Sequence, residues 1–309
     1  MGKWQIHLDK SIIGKKVKGF LIKRSSSMLS QTPGSMRPGN FIDHLILKSI
    51  SLSTCVALIL ISHSCISFKK ITDMPSGKHT DSISGNYWYA DYSARSRLNY
   101  IATFPQKYEK TNDSYPLILF LHSQAERGTN ISLLVNYENR DCLSPLALKD
   151  KQFPFITISP LCPKNIGWPF INRRLNLLLK DVTKKYRINT SKIYLTGVSM
   201  GGMGVWSLAM DHPKWFAAIA PISGCIIFPM TIMKPRALRN IHVWAFHDRF
   251  DTTLPIKFEE GKVKRVIKAG GNVKYSISET GNHEIWREIY AKPDIFNWFL
   301  GIEKKKTGR

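Results

Sequence analysis

From Leu98 onward, apolar residues fall in short continuous runs, and amphipathic stretches lie between several of them. Residues 98–104 alternate and stop at Pro105, which predicts a strand. Residues 116–121 (Pro-Leu-Ile-Leu-Phe-Leu) are apolar throughout, the pattern of a strand buried on both faces. The same reasoning predicts strands over 154–159, 193–196, 216–221, 241–246 and 273–277. Over 171–186 the apolar spacing is helical, with Leu175, Leu178, Leu179, Val182 and Tyr186 on one side. Residues 200–210 and 257–269 read as two further helices, the second closed by Gly270-Gly271 as a C-cap. Strands alternating with helices predict an α/β domain: a mainly parallel sheet with helices on both faces. No internal repeat is visible.

The N-terminal part follows a different pattern. Residues 1–35 are basic, serine-rich and without a sustained period. Ser49 to Phe68 are uncharged, around an apolar centre at residues 56–61, but six of these positions are serine. So many serines weaken a stable membrane span. The stretch fits the apolar region of an export signal, flanked by Arg37 and Lys48. Ile61-Ser62-His63-Ser64-Cys65 loosely resembles a bacterial lipoprotein cleavage site. It departs from that pattern at Ser62, where leucine is usual, and at His63, where a small residue is usual. Lipidation of Cys65, a plain secretory signal and an uncleaved anchor all stay open. A signal normally opens a chain, which raises Met28 or Met36 as the start. The expected organisation is a basic leader over 1–69, a polar linker over 70–95, one α/β domain over 96–302 and a basic tail over 303–309. An exported protein follows, whether periplasmic, secreted or membrane-attached through the leader or Cys65.

Charge changes little. The 309 residues are 43% hydrophobic and carry a net charge of +23. Residues 1–65 hold nine Lys/Arg and two Asp/Glu, so the excess belongs to the body as well. The basic residues are scattered, without a motif for base stacking or groove entry, and they read as solvated surface with no specific nucleic-acid partner. Of the five cysteines, Cys55 and Cys65 lie in the leader. Cys142, Cys162 and Cys225 have no metal-type spacing and predict neither a disulfide framework nor a metal site.

The chemistry centres on Gly197-Val198-Ser199-Met200-Gly201. This G-x-S-x-G sits where a strand ends and a helix begins, the setting of a nucleophile elbow. The tight turn lifts the Ser199 hydroxyl off the sheet and aims the Met200 N–H at a developing oxyanion. A serine nucleophile needs a base, and the base needs a carboxylate to fix its tautomer. In this arrangement the chain order is Ser, acid, His. His283 lies on a loop beyond the last strand and is the expected base. His212 reads as a surface or cap residue, and His242 and His247 as structural. Asp251 is the expected acid, with Asp248 as a turn or cap carboxylate. The Gln124 N–H, after the 116–121 strand, is the second expected oxyanion donor, in a loop that Glu126 and Arg127 brace. Trp168 and Trp286 are candidates for lining a substrate pocket. Trp206, on the elbow helix, fits core packing at least as well.

These residues resemble the α/β-hydrolases, most of all exported bacterial serine esterases of the phospholipase/carboxylesterase and polyhydroxybutyrate-depolymerase-like type, some labelled predicted peptidases. The matching stretches are 116–128, 155–163, 193–206 and 243–286. Ser199, Asp251 and His283 fall on that family's triad positions, and Gln124 and Met200 on its oxyanion positions. The resemblance implies the α/β-hydrolase fold, ester hydrolysis through an acyl-enzyme, and no metal or organic cofactor. A serine peptidase of the same fold and a catalytically silent binding domain are the alternatives. One departure stands out. The family has His-Gly-x-Gly where this chain has His122-Ser123-Gln124-Ala125. Loss of both glycines predicts either a weakened oxyanion hole, which glycines at 123 and 125 would restore, or a loop built differently. Acyl and alcohol specificity and oligomeric state are not legible.

Overall fold

The computed structural model describes residues 75, 77–136, 142–224 and 234–304. The leader with its uncharged segment and Cys65, and Cys225, lie outside the described residues. The apolar runs become the middle of a sheet that has nine strands among the described residues: β1 (His79–Thr80), β2 (Tyr87–Ser93), β3 (Leu98–Phe104), β4 (Tyr115–Leu121), β5 (Ile156–Pro160), β6 (Ile188–Val198), β7 (Ala218–Ile222), β8 (His242–Asp248) and β9 (Asn272–Ser278). Their order is β1-β2-β3-β5-β4-β6-β7-β8-β9. From β5 across to β9 every pairing is parallel, whereas β1, β2 and β3 join antiparallel at one edge.

Alternation along each strand sorts side chains onto two layers. Leu117, Leu119, Leu195 and Val243 face one core with the helices α2 (Asn172–Lys185), α3 (Met200–Asp211) and α4 (Lys257–Lys268). Ile118, Phe120, Tyr194 and Trp244 face the other, under α1 (Leu143–Lys149), α5 (Trp286–Ala291) and α6 (Asp294–Leu300). Burial on both faces explains why the central strands read as unbroken apolar runs. The helix C-cap also forms as read: Gly270 has φ +88°, and the Gly271 N–H bonds to the Val266 carbonyl at 2.9 Å.

Two boundaries need correction. The expected linker over 70–95 contains β1 and β2. Strand β2 pairs with β3 from Tyr87↔Phe104 to Ser93↔Leu98, and the Tyr87 and Phe104 rings stack at 5.2 Å. Asn86 ties the start of β2 to the end of α1 through the Ala147 and Asp150 carbonyls at 2.9 and 2.8 Å. At the other end, Glu303 pairs with Lys192 at 2.8 Å and the Lys304 N–H bonds to the Ser191 carbonyl at 2.9 Å. The first residues of the expected tail are therefore docked on the domain.

Candidate active site

Ser199, Asp251 and His283 follow β6, β8 and β9, at the carboxyl ends of parallel strands, where open α/β sheets place their chemistry. Ser199 sits between β6 and α3 with φ 53° and ψ −116°. Positive φ on a residue with a Cβ is strained and persists only where surroundings over-determine it. Here the Ser199 N–H bonds to the Ile222 carbonyl at 2.9 Å. The turn leaves no room beside it. A Cβ on Gly197 would lie 2.6 Å from the Leu121 carbonyl oxygen, and one on Gly201 would lie 1.9 Å from it. Glycine at both positions lets α3 pass this close to β4.

The His283 imidazole joins the other two side chains. Its Nδ1 lies 2.6 Å from Asp251 Oδ2, and its Nε2 lies 2.9 Å from Ser199 Oγ. Asp251 is buried, and its Oδ1 accepts the N–H groups of Thr253 and Leu254, both at 2.8 Å. A carboxylate held this way accepts from Nδ1–H, which leaves Nε2 bare to accept from the Ser199 hydroxyl. The Trp286 ring meets His283 edge to face at 5.4 Å. His247, read as structural, is buried behind the acid: its Nε2 donates to the Leu254 carbonyl at 2.7 Å and lies 3.4 Å from Asp251 Oδ2. Burial pushes the His247 pKa down, which favours the neutral ring.

Asp248 does not reach His283. Its carboxylate accepts from the Phe250 N–H, as a turn residue would, and also from Ser278, Thr280 and Gly281 in the loop before His283. Burial opposes its charge, but the hydrogen bonds from Ser278, Phe250 and Thr280 outweigh burial and hold its pKa at about 2, below the usual 3.8. Ser278, Thr280 and Gly281 lie 30 or more residues away along the chain, so local sequence carried no signal of these contacts.

The loop after β4 is built from side chains. His122 is wholly buried, and burial pushes its pKa down to about 4, so the ring is neutral at physiological pH. Its Nδ1 donates to the Ser123 carbonyl at 2.7 Å and its Nε2 accepts the Cys162 N–H at 3.0 Å. The Ser123 hydroxyl donates to Glu126 at 2.9 Å and accepts the Ala125 N–H at 3.1 Å. Arg127 donates to the carbonyls of Gln124 and Ile166, both at 3.3 Å. The positive φ values of described non-glycine residues belong to Arg97, Ser199 and Ser223, so Ser123 needs no glycine-like backbone. Among the described residues, the backbone N–H groups of Gln124 and Met200 have no protein acceptor.

Trp168 and Trp286, the candidates for lining a substrate pocket, are both buried. Trp168 is 0% exposed; it donates to the His122 carbonyl at 2.9 Å and packs edge to face on the His122 ring. It supports the loop from beneath, because its ring fills the core beside Gly204. Trp286 is 2% exposed and backs the His283 ring. Trp206 is core, as its helix position allowed.

Comparison with known proteins bears on the fold and on the esterase family it resembles. Residues 171–293, which include Ser199, Asp251 and His283, match the phospholipase/carboxylesterase family model. A crystal structure of a thermostable esterase superposes with a TM-score of 0.59 at 27% identity, covering 76% of this chain and 64% of that one. The chain has the α/β-hydrolase fold. A ferulic acid esterase structure shares the fold at a TM-score of 0.53 and 16% identity, covering 69% of this chain and 98% of that chain. "Probable feruloyl esterase C" of Aspergillus oryzae is 31% identical over 132 residues, which is 41% of this chain and 47% of that protein. The chain thus spans about half the length of this curated relative.

Proposed function

We propose that this α/β-hydrolase is a serine esterase in which Ser199 is the nucleophile, His283 the base and Asp251 the orienting acid. The observation that carries the reading is the continuous chain Asp251–His283–Ser199, with bonds of 2.6 and 2.9 Å at a strained elbow. Ser199 Oγ attacks the ester carbonyl carbon, and the carbonyl π electrons move onto oxygen. His283 Nε2 takes the hydroxyl proton while Asp251 stabilises the imidazolium. The Met200 and Gln124 N–H groups hold the oxyanion, a contribution of roughly 3 kcal/mol per donor in other hydrolases. Collapse of the intermediate breaks the C–O bond, and His283 passes its proton to the leaving alcohol. Water then attacks the acyl-Ser199 ester by the reverse sequence.

The names of the relatives favour an ester over a peptide bond and make aromatic acyl esters the first substrates to try. The braced Ser123–Glu126 loop supports an active domain over a silent one. Ser199→Ala is the direct test: hydrolysis of p-nitrophenyl acetate and methyl ferulate should vanish while the melting temperature stays. Wild-type turnover in that variant sinks the assignment. Export is part of the same proposal and rests on the uncharged stretch over 49–68. Fractionation of cells expressing the full chain tests it, and a wholly cytoplasmic protein contradicts it.

A further inference from the structure

We propose that Asp248 is a positioning residue whose carboxylate locks the loop carrying His283 onto the loop carrying Asp251. The proposal rests on the Ser199–His283–Asp251 reading above. Asp248 ends β8 opposite Ser278, which ends β9, so the strand ladder stops at this pair. Beyond it both chains become loops, and the two residues that must meet at 2.6 Å lie on different ones. The Asp248 side chain bridges them. Its Oδ1 accepts the Phe250 N–H at 2.8 Å, on the acid's loop, and the Gly281 N–H at 3.0 Å, on the base's loop. Its Oδ2 accepts the Ser278 hydroxyl at 2.8 Å and the Thr280 N–H and hydroxyl at 2.7 and 2.9 Å. The Thr280 hydroxyl oxygen in turn accepts the Asn282 N–H at 3.3 Å, one residue before His283. Gly281, at φ +73°, makes the bend that brings its N–H to the carboxylate.

The site requires a carboxylate and not merely an acceptor. Each oxygen faces at least one backbone N–H, which can only donate: Phe250 and Gly281 on one side, Thr280 on the other. An asparagine presents one NH2 group, so in either orientation it sets donor against donor. The side chain is fully buried, so water cannot readily relieve that clash. The loop then shifts, and His283 with it. Misplacement by about 1 Å is enough for a rate loss on the order of a hundredfold.

The test uses the full chain and three variants: Asp248→Asn, Thr280→Ala and Ser199→Ala. Two readouts are taken, kcat and KM on p-nitrophenyl acetate, and the downfield proton NMR signal of His283 Nδ1–H bonded to Asp251. Asp248→Asn should lower kcat about a hundredfold with KM within about twofold, and its NMR signal should broaden through exchange with water. Unchanged kcat with a sharp signal overturns the proposal, even if the melting temperature falls, because the residue then only supports the fold. Should Asp248→Asn fail to fold, Thr280→Ala decides. It removes one of the bonds to Asp248 and should cost about fivefold in kcat at unchanged KM; wild-type kcat there overturns the proposal. Failure of the function reading looks different: Ser199→Ala would keep hydrolysing, while the substrate-free NMR signal would still report on Asp248.

Discussion

At Ser123 a side chain takes over the shaping of a loop that glycines shape in the resembled family. The hydroxyl bonds to Glu126 and to the Ala125 N–H, reaching across Gln124 to both residues that follow it. Ser123→Gly would delete both bonds and free the backbone, so the oxyanion donor proposed at Gln124 would lose its fixed position. Acylation should slow by about tenfold with little change in substrate binding, because an oxyanion donor acts mainly in the transition state. Burst-phase kinetics on a p-nitrophenyl ester measures this step, and a faster burst would restore the expectation drawn from the missing glycines. Asp251 carries a second prediction. Asp251→Asn should lower kcat by roughly 10⁴, since an amide there favours the wrong His283 tautomer. Steady-state kinetics checks it, and a loss below about tenfold would place the acid elsewhere.

Among the elements, the contact between α3 and β4 is the tightest constraint on the elbow. Gly201 faces the Leu121 carbonyl, and an added Cβ would lie 1.9 Å from that oxygen. Backbone cannot yield as a flexible side chain would. Gly201→Ala should therefore destabilise the protein by about 3 kcal/mol or more, read from urea unfolding at an unchanged m-value. A loss under about 1 kcal/mol would show that the helix can slide. The parallel strands were legible in the sequence because burial on both faces writes a continuous apolar run, as in β4 and β5. Strand β2 was not. Its Asp91 and Ser93 fall in the stretch that reads as a polar linker, yet Asp91 accepts the Tyr100 hydroxyl at 2.5 Å and Ser93 donates to Asp181 at 2.5 Å. Polar residues satisfied by distant partners leave no local period. The same limit hid the contacts of Asp248 with Ser278, Thr280 and Gly281, whereas the meeting of Ser199 with His283 was legible from the elbow motif and chain order.

At the scale of the whole molecule, the buried Glu259 couples stability to pH near neutrality. Glu259 on α4 is 0% exposed and accepts the Trp206 Nε1–H of the elbow helix at 2.9 Å. Burial pushes its pKa up from 4.5 to about 7, against the pull of Lys262 and of that hydrogen bond. The folded state therefore holds this proton more tightly than the unfolded chain does. Between about pH 4.5 and pH 7 the unfolded state loses the proton first, so stability falls as pH rises and then levels off above pH 7. The difference amounts to about 3 kcal/mol. Glu259→Gln keeps an acceptor for Trp206 and removes the titration. Relative to wild type, its unfolding free energy should rise by about that amount from pH 4.5 to pH 8. Denaturant melts at the two pH values check this, and parallel pH profiles for the two proteins would contradict it.

The central claim is a covalent acyl-enzyme on Ser199, formed by the chain of hydrogen bonds from Asp251 through His283. Rapid acid quench during turnover of a p-nitrophenyl ester, followed by peptide mass spectrometry, tests it most directly. The account predicts an acyl mass on the peptide containing Ser199, lost in Ser199→Ala together with turnover. Turnover without that adduct under conditions where a burst of nitrophenol is seen, or an adduct on another residue, would contradict it.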